Sequence, residues 1–187
     1  QRRWPAVARV SRREMPFSVG ACAAIETYEK GGRIGEGTYG VIYKATEKTG
    51  KRREVALKRL LPHNEARDGF PLTSLREVHA LRKLCGHENV VELFDVAVGK
   101  EREAVFLVLE LVGAAGDIGS ILDRHESAFD VAQTKTLTRH LLSALRHCHD
   151  ARIVHRDVKV ANLLYSNHGY LKLCDFGLAR IIEEHGE

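Results

Sequence analysis

The sequence predicts an α+β fold of two lobes: a small lobe built on a five-stranded antiparallel sheet with one helix, then the beginning of a helical lobe. Three observations lead there. Between Tyr28 and Leu111, apolar stretches of strand length alternate with glycine-rich and polar turns. A single helical period interrupts them, at Leu75, Val78, Leu81 and Leu84. From Ile118 onward the apolar residues recur at helical spacing instead.

Each element follows in order. Arg33-Ile34 leads into Gly35-Glu36-Gly37-Thr38-Tyr39-Gly40 and Val41-Ile42-Tyr43-Lys44-Ala45 leaves it, which makes a hairpin. Thr49-Gly50-Lys51 supplies the next turn, and Val55-Ala56-Leu57-Lys58 is the third strand. The helix beyond Pro71 is amphipathic, with Thr73 or Ser74 available as N-cap. Val90-Val91-Glu92-Leu93-Phe94 and the stretch from Val105 to Leu111 complete the sheet. Gly113-Ala114-Ala115-Gly116 reads as a flexible connector. Ile118, Ile121 and Leu122 then mark one helix, Leu137, Leu141, Leu142 and Leu145 a second, and Leu171-Lys172-Leu173 a short strand. Residues 1–27 are expected to be a disordered arm, 28–111 the small lobe, and 112–187 the connector and an incomplete second lobe.

Composition narrows the function classes. With 44% apolar residues the chain can build a real core, yet its longest apolar runs, such as Ala104 to Leu109, fall far short of the ~20 residues that cross a bilayer. No membrane association is expected. The net charge of +4 sits entirely ahead of Met15, in Arg2, Arg3, Arg9, Arg12 and Arg13 against Glu14. Beyond that point acids and bases balance, so no basic face and no direct nucleic-acid partner are expected. Cys22, Cys85, Cys148 and Cys174 are widely spaced without a CxxC pair, which suits a reducing, intracellular compartment. The segment from Gln1 to Pro5 reads either as a targeting arm or nuclear signal, or as residues ahead of Met15 that are disordered or foreign to the natural product. It lacks the apolar core of a secretory signal.

Four stretches carry chemistry. The Gly35 to Gly40 loop allows backbone amides to approach phosphate oxygens closely. A GxGxxG also opens dinucleotide-binding βαβ units, but there it must enter a helix, whereas here it lies inside a hairpin. Lys58 ends an apolar strand, an unusual place for a solvated lysine, and Glu77 lies on the following helix; each could equally be a surface charge. His155-Arg156-Asp157-Val158-Lys159-Val160-Ala161-Asn162 sets a carboxylate, an ammonium and an amide on one tight loop, and Asp175-Phe176-Gly177 adds a second carboxylate. His147 and His149 flank Cys148 without a complementary ligand group, so they read as helix-end residues.

In this order, the four stretches resemble a eukaryotic protein kinase over Tyr28 to Arg180, and the resemblance implies the bilobal protein-kinase fold. GEGTYG at Gly35 to Gly40, PLTSLRE at Pro71 to Glu77 and DFGLAR at Asp175 to Arg180 are similar to cyclin-dependent kinases. PLTSLRE, Val96-Ala97-Val98-Gly99 and HRDVKVANLL at His155 to Leu164 resemble the PISSLRE/PITSLRE branch.

That resemblance implies ATP and Mg²⁺ as cofactors and assigns roles. Asp157 would orient the acceptor hydroxyl and take its proton, and Lys159 would balance charge on the moving phosphoryl group. Asn162 and Asp175 would hold the metal ions, and Lys58, paired with Glu77, would hold the α and β phosphates. Ile34, Gly35, Glu36, Gly37, Thr38, Tyr39, Gly40, Val41, Ile42, Ala56 and Leu164 would enclose the nucleotide. Leu109 would be its gatekeeper, with Glu110 and Leu111 offering backbone hydrogen bonds. Leu81, Leu93, His155 and Phe176 would stack between the lobes. Thr38 and Tyr39 match inhibitory phosphorylation sites, and Arg76, Arg156 and Arg180 match a cluster that binds a phosphothreonine. Cys174 either faces the nucleotide pocket and reacts with electrophiles or is a small buried apolar residue.

Lys159, two residues after Asp157, resembles the serine/threonine-specific branch. The family further implies a cyclin partner, a protein substrate phosphorylated on Ser or Thr before proline, and a nuclear site of action. The connector at Gly113 to Gly116 departs from the family in length and in lacking an acidic or polar residue before Asp117, which puts the ribose contact in doubt. Only seven residues follow Arg180. The expectation is therefore a piece of a longer parent kinase, unstable or aggregation-prone alone, with Ile121, Leu137 and Leu141 lacking partners. The alternative is a non-catalytic short form that binds cyclin or nucleotide without phosphotransfer.

Overall fold

The computed structural model describes residues 22–37, 40–60, 72–99, 104–113, 116–125 and 129–182. Strands β1 (Ala23–Ala24), β2 (Tyr28–Gly37), β3 (Gly40–Glu47) and β4 (Glu54–Leu60) precede helix α1 (Leu72–Lys83), and β5 (Leu93–Val98) and β6 (Val105–Glu110) follow it. They form a six-stranded sheet in the order β1-β5-β6-β4-β3-β2. The five strands read from sequence pair antiparallel. The sixth, β1, is parallel to β5 through Ala23↔Ala97 and Ala24↔Val98. Residues 23–27, expected in the arm, are thus a strand and a turn; two alanines carry too little pattern to announce a strand.

Side-chain alternation gives the sheet two apolar faces. Val55 and Leu57 of β4 join Phe106 and Val108 of β6 on the outer face, with Ala45 and Ala97. The intervening Ala56 and Leu60, with Leu107 and Leu109, face inward and merge with a core that continues through the rest of the chain. The positions expected for the fourth strand shift as well. Val90 and Val91 are buried but lie ahead of β5, where Val91 donates to the Leu173 carbonyl at 3.0 Å.

Helix α1 takes Thr73 and Ser74 into its first turn, so neither is the cap expected from sequence. Its buried stripe is Ser74, Glu77, Ala80 and Leu81, continued by Leu84 just past the helix, while Leu75 is 51% exposed. The apolar period alone had placed Leu75 inward. The face is turned because Glu77 has a buried partner.

Helices α2 (Ile118–Arg124) and α3 (Val131–Asp150) open the second lobe. Asp117 caps α2 by accepting from Ser120 N at 2.9 Å, and Asp130 with Gln133 forms a capping box on α3. Then come four short strands, β7 (Ile153–Val154), β8 (Leu163–Tyr165), β9 (Leu171–Leu173) and β10 (Arg180–Ile181), pairing as β8 with β9 and β7 with β10. Ile121, Leu137 and Leu141, expected to lack partners, are half-buried against the core; the exposed apolar residues of these helices are Leu122, Val131 and Leu142.

Leu107 is fully buried where the two lobes' core begins, and Leu142 is 60% exposed. Leu107→Ala should therefore lower unfolding stability by about 2–5 kcal/mol, whereas Leu142→Ala should change it by less than about 0.5 kcal/mol. Urea unfolding midpoints of the two variants test this ordering.

Candidate active site

Period-two alternation puts Lys58 on the inner face of β4 beside Ala56, where only 6% of it is exposed. A buried ammonium needs an anion. Two are supplied: Glu77 of α1, with Oε1 and Oε2 at 2.8 and 2.9 Å, and Asp175, with Oδ1 at 3.1 Å. Burial pushes the Lys58 pKa down, but the two carboxylates outweigh it and the group is held above its ordinary value, fully charged. Glu77 is 2% exposed; burial favours its neutral form, and the Lys58 charge is what opposes that.

The second group assembles around the loop after β7. Register explains how: Leu163 pairs with Leu173 across the β8–β9 hairpin, so the residues just outside it, Asn162 and Cys174, also meet, with Cys174 N donating to Asn162 O at 3.0 Å. Asp175 is therefore delivered next to the Asp157 to Asn162 loop. Asn162 donates both amide hydrogens to Asp157, to the main-chain O at 2.8 Å and to Oδ2 at 2.9 Å, so that its Oδ1, with no hydrogen-bond donor among the described residues, is available as an oxygen ligand. Lys159 Nζ reaches the same Asp157 Oδ2 at 2.9 Å. That lysine bond, aided by Asn162, holds the Asp157 carboxyl below the usual carboxylate range.

His155 supports both groups. It accepts from Asp157 N at Nδ1 (3.2 Å), so Nε2 carries the proton and donates to Cys174 O at 2.9 Å. Its ring meets the Phe176 ring edge-on at 4.6 Å, and burial keeps it neutral by lowering its pKa. Leu81, Leu93, His155 and Phe176, expected as a stack, are each no more than 1% exposed. Arg156 (φ 68°) and Asp175 (φ 60°) occupy the left-handed region, a strain of the kind that collects at functional sites.

The remaining positions divide. Gly35 packs over Ile42, and at Gly40 an added Cβ would lie 2.0 Å from Arg59 O, so a glycine is required there. Gly37 pairs with Gly40 and Val41 with Glu36, closing the hairpin, while Glu36 bonds Arg33. Ala56 and Leu109 are buried, Ile42 and Leu164 pack beside them, and Ile34 is 51% exposed. Thr38, Tyr39, Ala114 and Ala115 lie outside the described residues. Glu110 N donates to Glu92 O, so that amide is committed within the chain, while Leu111 O accepts from Gly113 N and keeps a second lone pair. Arg76, Arg156 and Arg180 are exposed on neighbouring elements, since β10 pairs with β7 and touches α1. Cys174 is not a reactive thiol here: burial, reinforced by Asp175, pushes its pKa up to about 12.

Sequence reasoning missed Lys172 and His87. Lys172, read only as part of a strand, bonds Glu110 Oε2 at 2.9 Å and so ties the second lobe to the last strand of the sheet. Nothing in its local pattern signals this, because the partner is 62 residues earlier and found only through the fold.

Lys58→Met should destabilise the chain by about 3–5 kcal/mol by stranding Glu77, and the Lys58→Met/Glu77→Leu double variant should recover most of that loss. Urea unfolding of the two variants decides; equal or additive losses would contradict the coupling.

The protein kinase domain family matches residues 28–187. Cyclin-dependent kinase 10 of Rattus norvegicus is 42% identical over 164 residues, covering 88% of this chain and 44% of that protein. Serine/threonine-protein kinase bur1 of Emericella nidulans is 41% identical, covering 87% of this chain and 30% of the relative. The chain thus spans less than half the length of these relatives. Among solved structures, the CAK complex of Chaetomium thermophilum bound to ATP-gamma-S contains a chain with a TM-score of 0.77 and 35% identity, covering 86% of this chain and 49% of that one. With the family matched across both groups of site residues and its relatives among the cyclin-dependent kinases, this chain belongs to the protein kinase family.

Proposed function

We propose that the protein containing this chain transfers the γ-phosphoryl group of MgATP to Ser or Thr of protein substrates, before proline and under cyclin control. The observation that carries this reading is the buried Lys58–Glu77 pair with Asp175 alongside, since phosphotransfer in this family requires the lysine, the helix glutamate and the metal-binding aspartate in place together.

Each residue's part follows from its surroundings. Lys58 presents a fixed positive charge toward phosphate oxygens. Asn162 Oδ1 and the Asp175 carboxylate are hard oxygen donors that suit Mg²⁺, which when bound neutralises phosphate charge. Asp157 is ionised and oriented by Lys159 and Asn162; with its pKa held low it is a weak base, so it aligns the acceptor hydroxyl first and takes the proton as the oxygen–phosphorus bond forms. Lys159, half exposed, balances charge on the transferring group.

For the partner, the outer face of α1 supports docking: Leu75, Val78, His79, Arg82 and Lys83 line a surface hollow of about 590 Å³. A partner there could bear on Glu77 through the helix. The four unpaired cysteines fit action in the nucleus or cytoplasm, and among the described residues no helix is long and apolar enough to cross a membrane.

In the full-length protein, Asp157→Asn should lower phosphate transfer to a Ser/Thr-Pro peptide by at least about 100-fold while leaving ATP affinity largely unchanged. Radiolabelled transfer and nucleotide titration measure the two separately. Retained turnover would remove Asp157 from its assigned role.

A further inference from the structure

Away from the phosphotransfer residues, two histidines meet where the lobes join. His87, in the loop after α1, stacks on His147 of α3 with ring centroids 4.6 Å apart and planes within 17°. Asn89 N donates to His87 Nδ1 at 3.1 Å. The His87 proton is therefore on Nε2, which lies 3.2 Å from Ser143 Oγ and donates to it. Both His87 nitrogens are satisfied only in this neutral tautomer. A second proton would have to enter at Nδ1, facing the Asn89 N–H. His147 Nε2, across the stack, is covered and has no hydrogen-bond partner among the described residues.

The loop that His87 closes is stitched to β9. Asn89 Nδ2 donates to Leu171 O at 2.9 Å, Leu173 N donates to Asn89 O at 2.8 Å, and Val91 N donates to Leu173 O at 3.0 Å. Two residues after Leu173 comes Asp175. Neither the family motifs nor the proposed chemistry uses this connection.

We propose that the His87–His147 stack is a proton-sensitive joint that positions β9, and with it Asp175, against the small lobe. With His87 neutral the Asn89 turn is closed and β9 is held; protonation of His87 opens the turn and loosens β9.

The charged surroundings agree in sign. Burial and the neighbouring His147 hold His87 below its ordinary value, Lys172 on β9 adds to this, and Glu88 on the same loop opposes it. On α3, one face carries His140 as well, whose Nδ1 accepts from Leu171 N at 3.4 Å; burial and Arg139 lower it, again against Glu88. Because the folded pKa is depressed, the joint's stabilisation is fully present above the ordinary histidine value of about 6.5 and is lost as pH falls through it toward the lowered value. His87 and His147 are positioning residues in this account. Only the consequence for Asp175 rests on the phosphotransfer reading.

Hydrogen exchange of the full chain, corrected for intrinsic rates, tests the joint at amides 89–91 and 171–173. Their protection, relative to amides in the middle of α3, should fall several-fold between pH 7.5 and 5.5. His87→Asn keeps an oxygen that can accept from the amide two residues on, as in an Asx turn, but cannot titrate, and its protection should be flat over that range. Protection independent of pH in the unaltered chain, or the same fall in His87→Asn, would overturn the proposal. Should that variant not fold, NMR titration of the unaltered chain decides. One shared midpoint below about 6.5 for the His87 ring and the 171–173 amides supports the joint, and separate midpoints refute it. MgATP affinity measured at both pH values separates the two readings: an intact, pH-dependent joint in a chain that binds no MgATP would sink the nucleotide reading and leave the joint standing.

Discussion

A positive charge buried on the inner face of a sheet is the constraint from which the rest of this structure follows. Lys58 cannot sit there unaccompanied, and the two carboxylates that join it come from separate parts of the chain: Glu77 from the helix after β4, and Asp175 from just past the β8–β9 hairpin, 117 residues beyond Lys58. Attraction between charges this close is about 4 kcal/mol or somewhat more at an effective dielectric constant of 20. The desolvation penalty is several kcal/mol per ion. The two nearly cancel, so the cluster adds little stability. What it does is fix positions: it turns α1 so that Glu77 rather than Leu75 faces inward, and it holds Asp175 at the edge of the small lobe.

The second lobe answers with an arrangement of its own. The β8–β9 register brings Asn162 to Cys174, Asn162 orients Asp157, and His155 ties Asp157 N to Cys174 O through a neutral ring. Asp157 and Asn162 are held by several mutual hydrogen bonds, which is what makes a half-buried site rigid. The left-handed backbone of Arg156 and Asp175 is the local cost of that geometry, offset by the apolar packing of Phe176 beneath it.

Much of this was legible in the sequence because motif spacing and strand alternation are local properties. GEGTYG, Lys58, Glu77, Asp157 to Asn162 and Asp175 could each be named from their neighbours, and the antiparallel five strands and the three helices follow from period two and period 3.6. What escaped depends on contacts distant in the chain. The apolar period of α1 put Leu75 inward, where the structure leaves it exposed; only the resemblance, not the period, pointed to Glu77. The two-residue β1 has no periodicity to detect. Lys172 looked like any lysine in a short strand until Glu110 was found beside it, and His147, read as a helix-end residue, has its meaning only through His87.

The central claim is that Lys58, Glu77 and Asp175 form a phosphate- and metal-binding group rather than a structural ion pair. Calorimetric titration of the chain with ATP, with and without Mg²⁺, tests it most directly. The account predicts saturable one-to-one binding that is weakened on removing Mg²⁺ and lost in Lys58→Met/Glu77→Leu, the double variant expected to keep most of the fold's stability. Binding that is unaffected by Mg²⁺ and retained in that variant would contradict it.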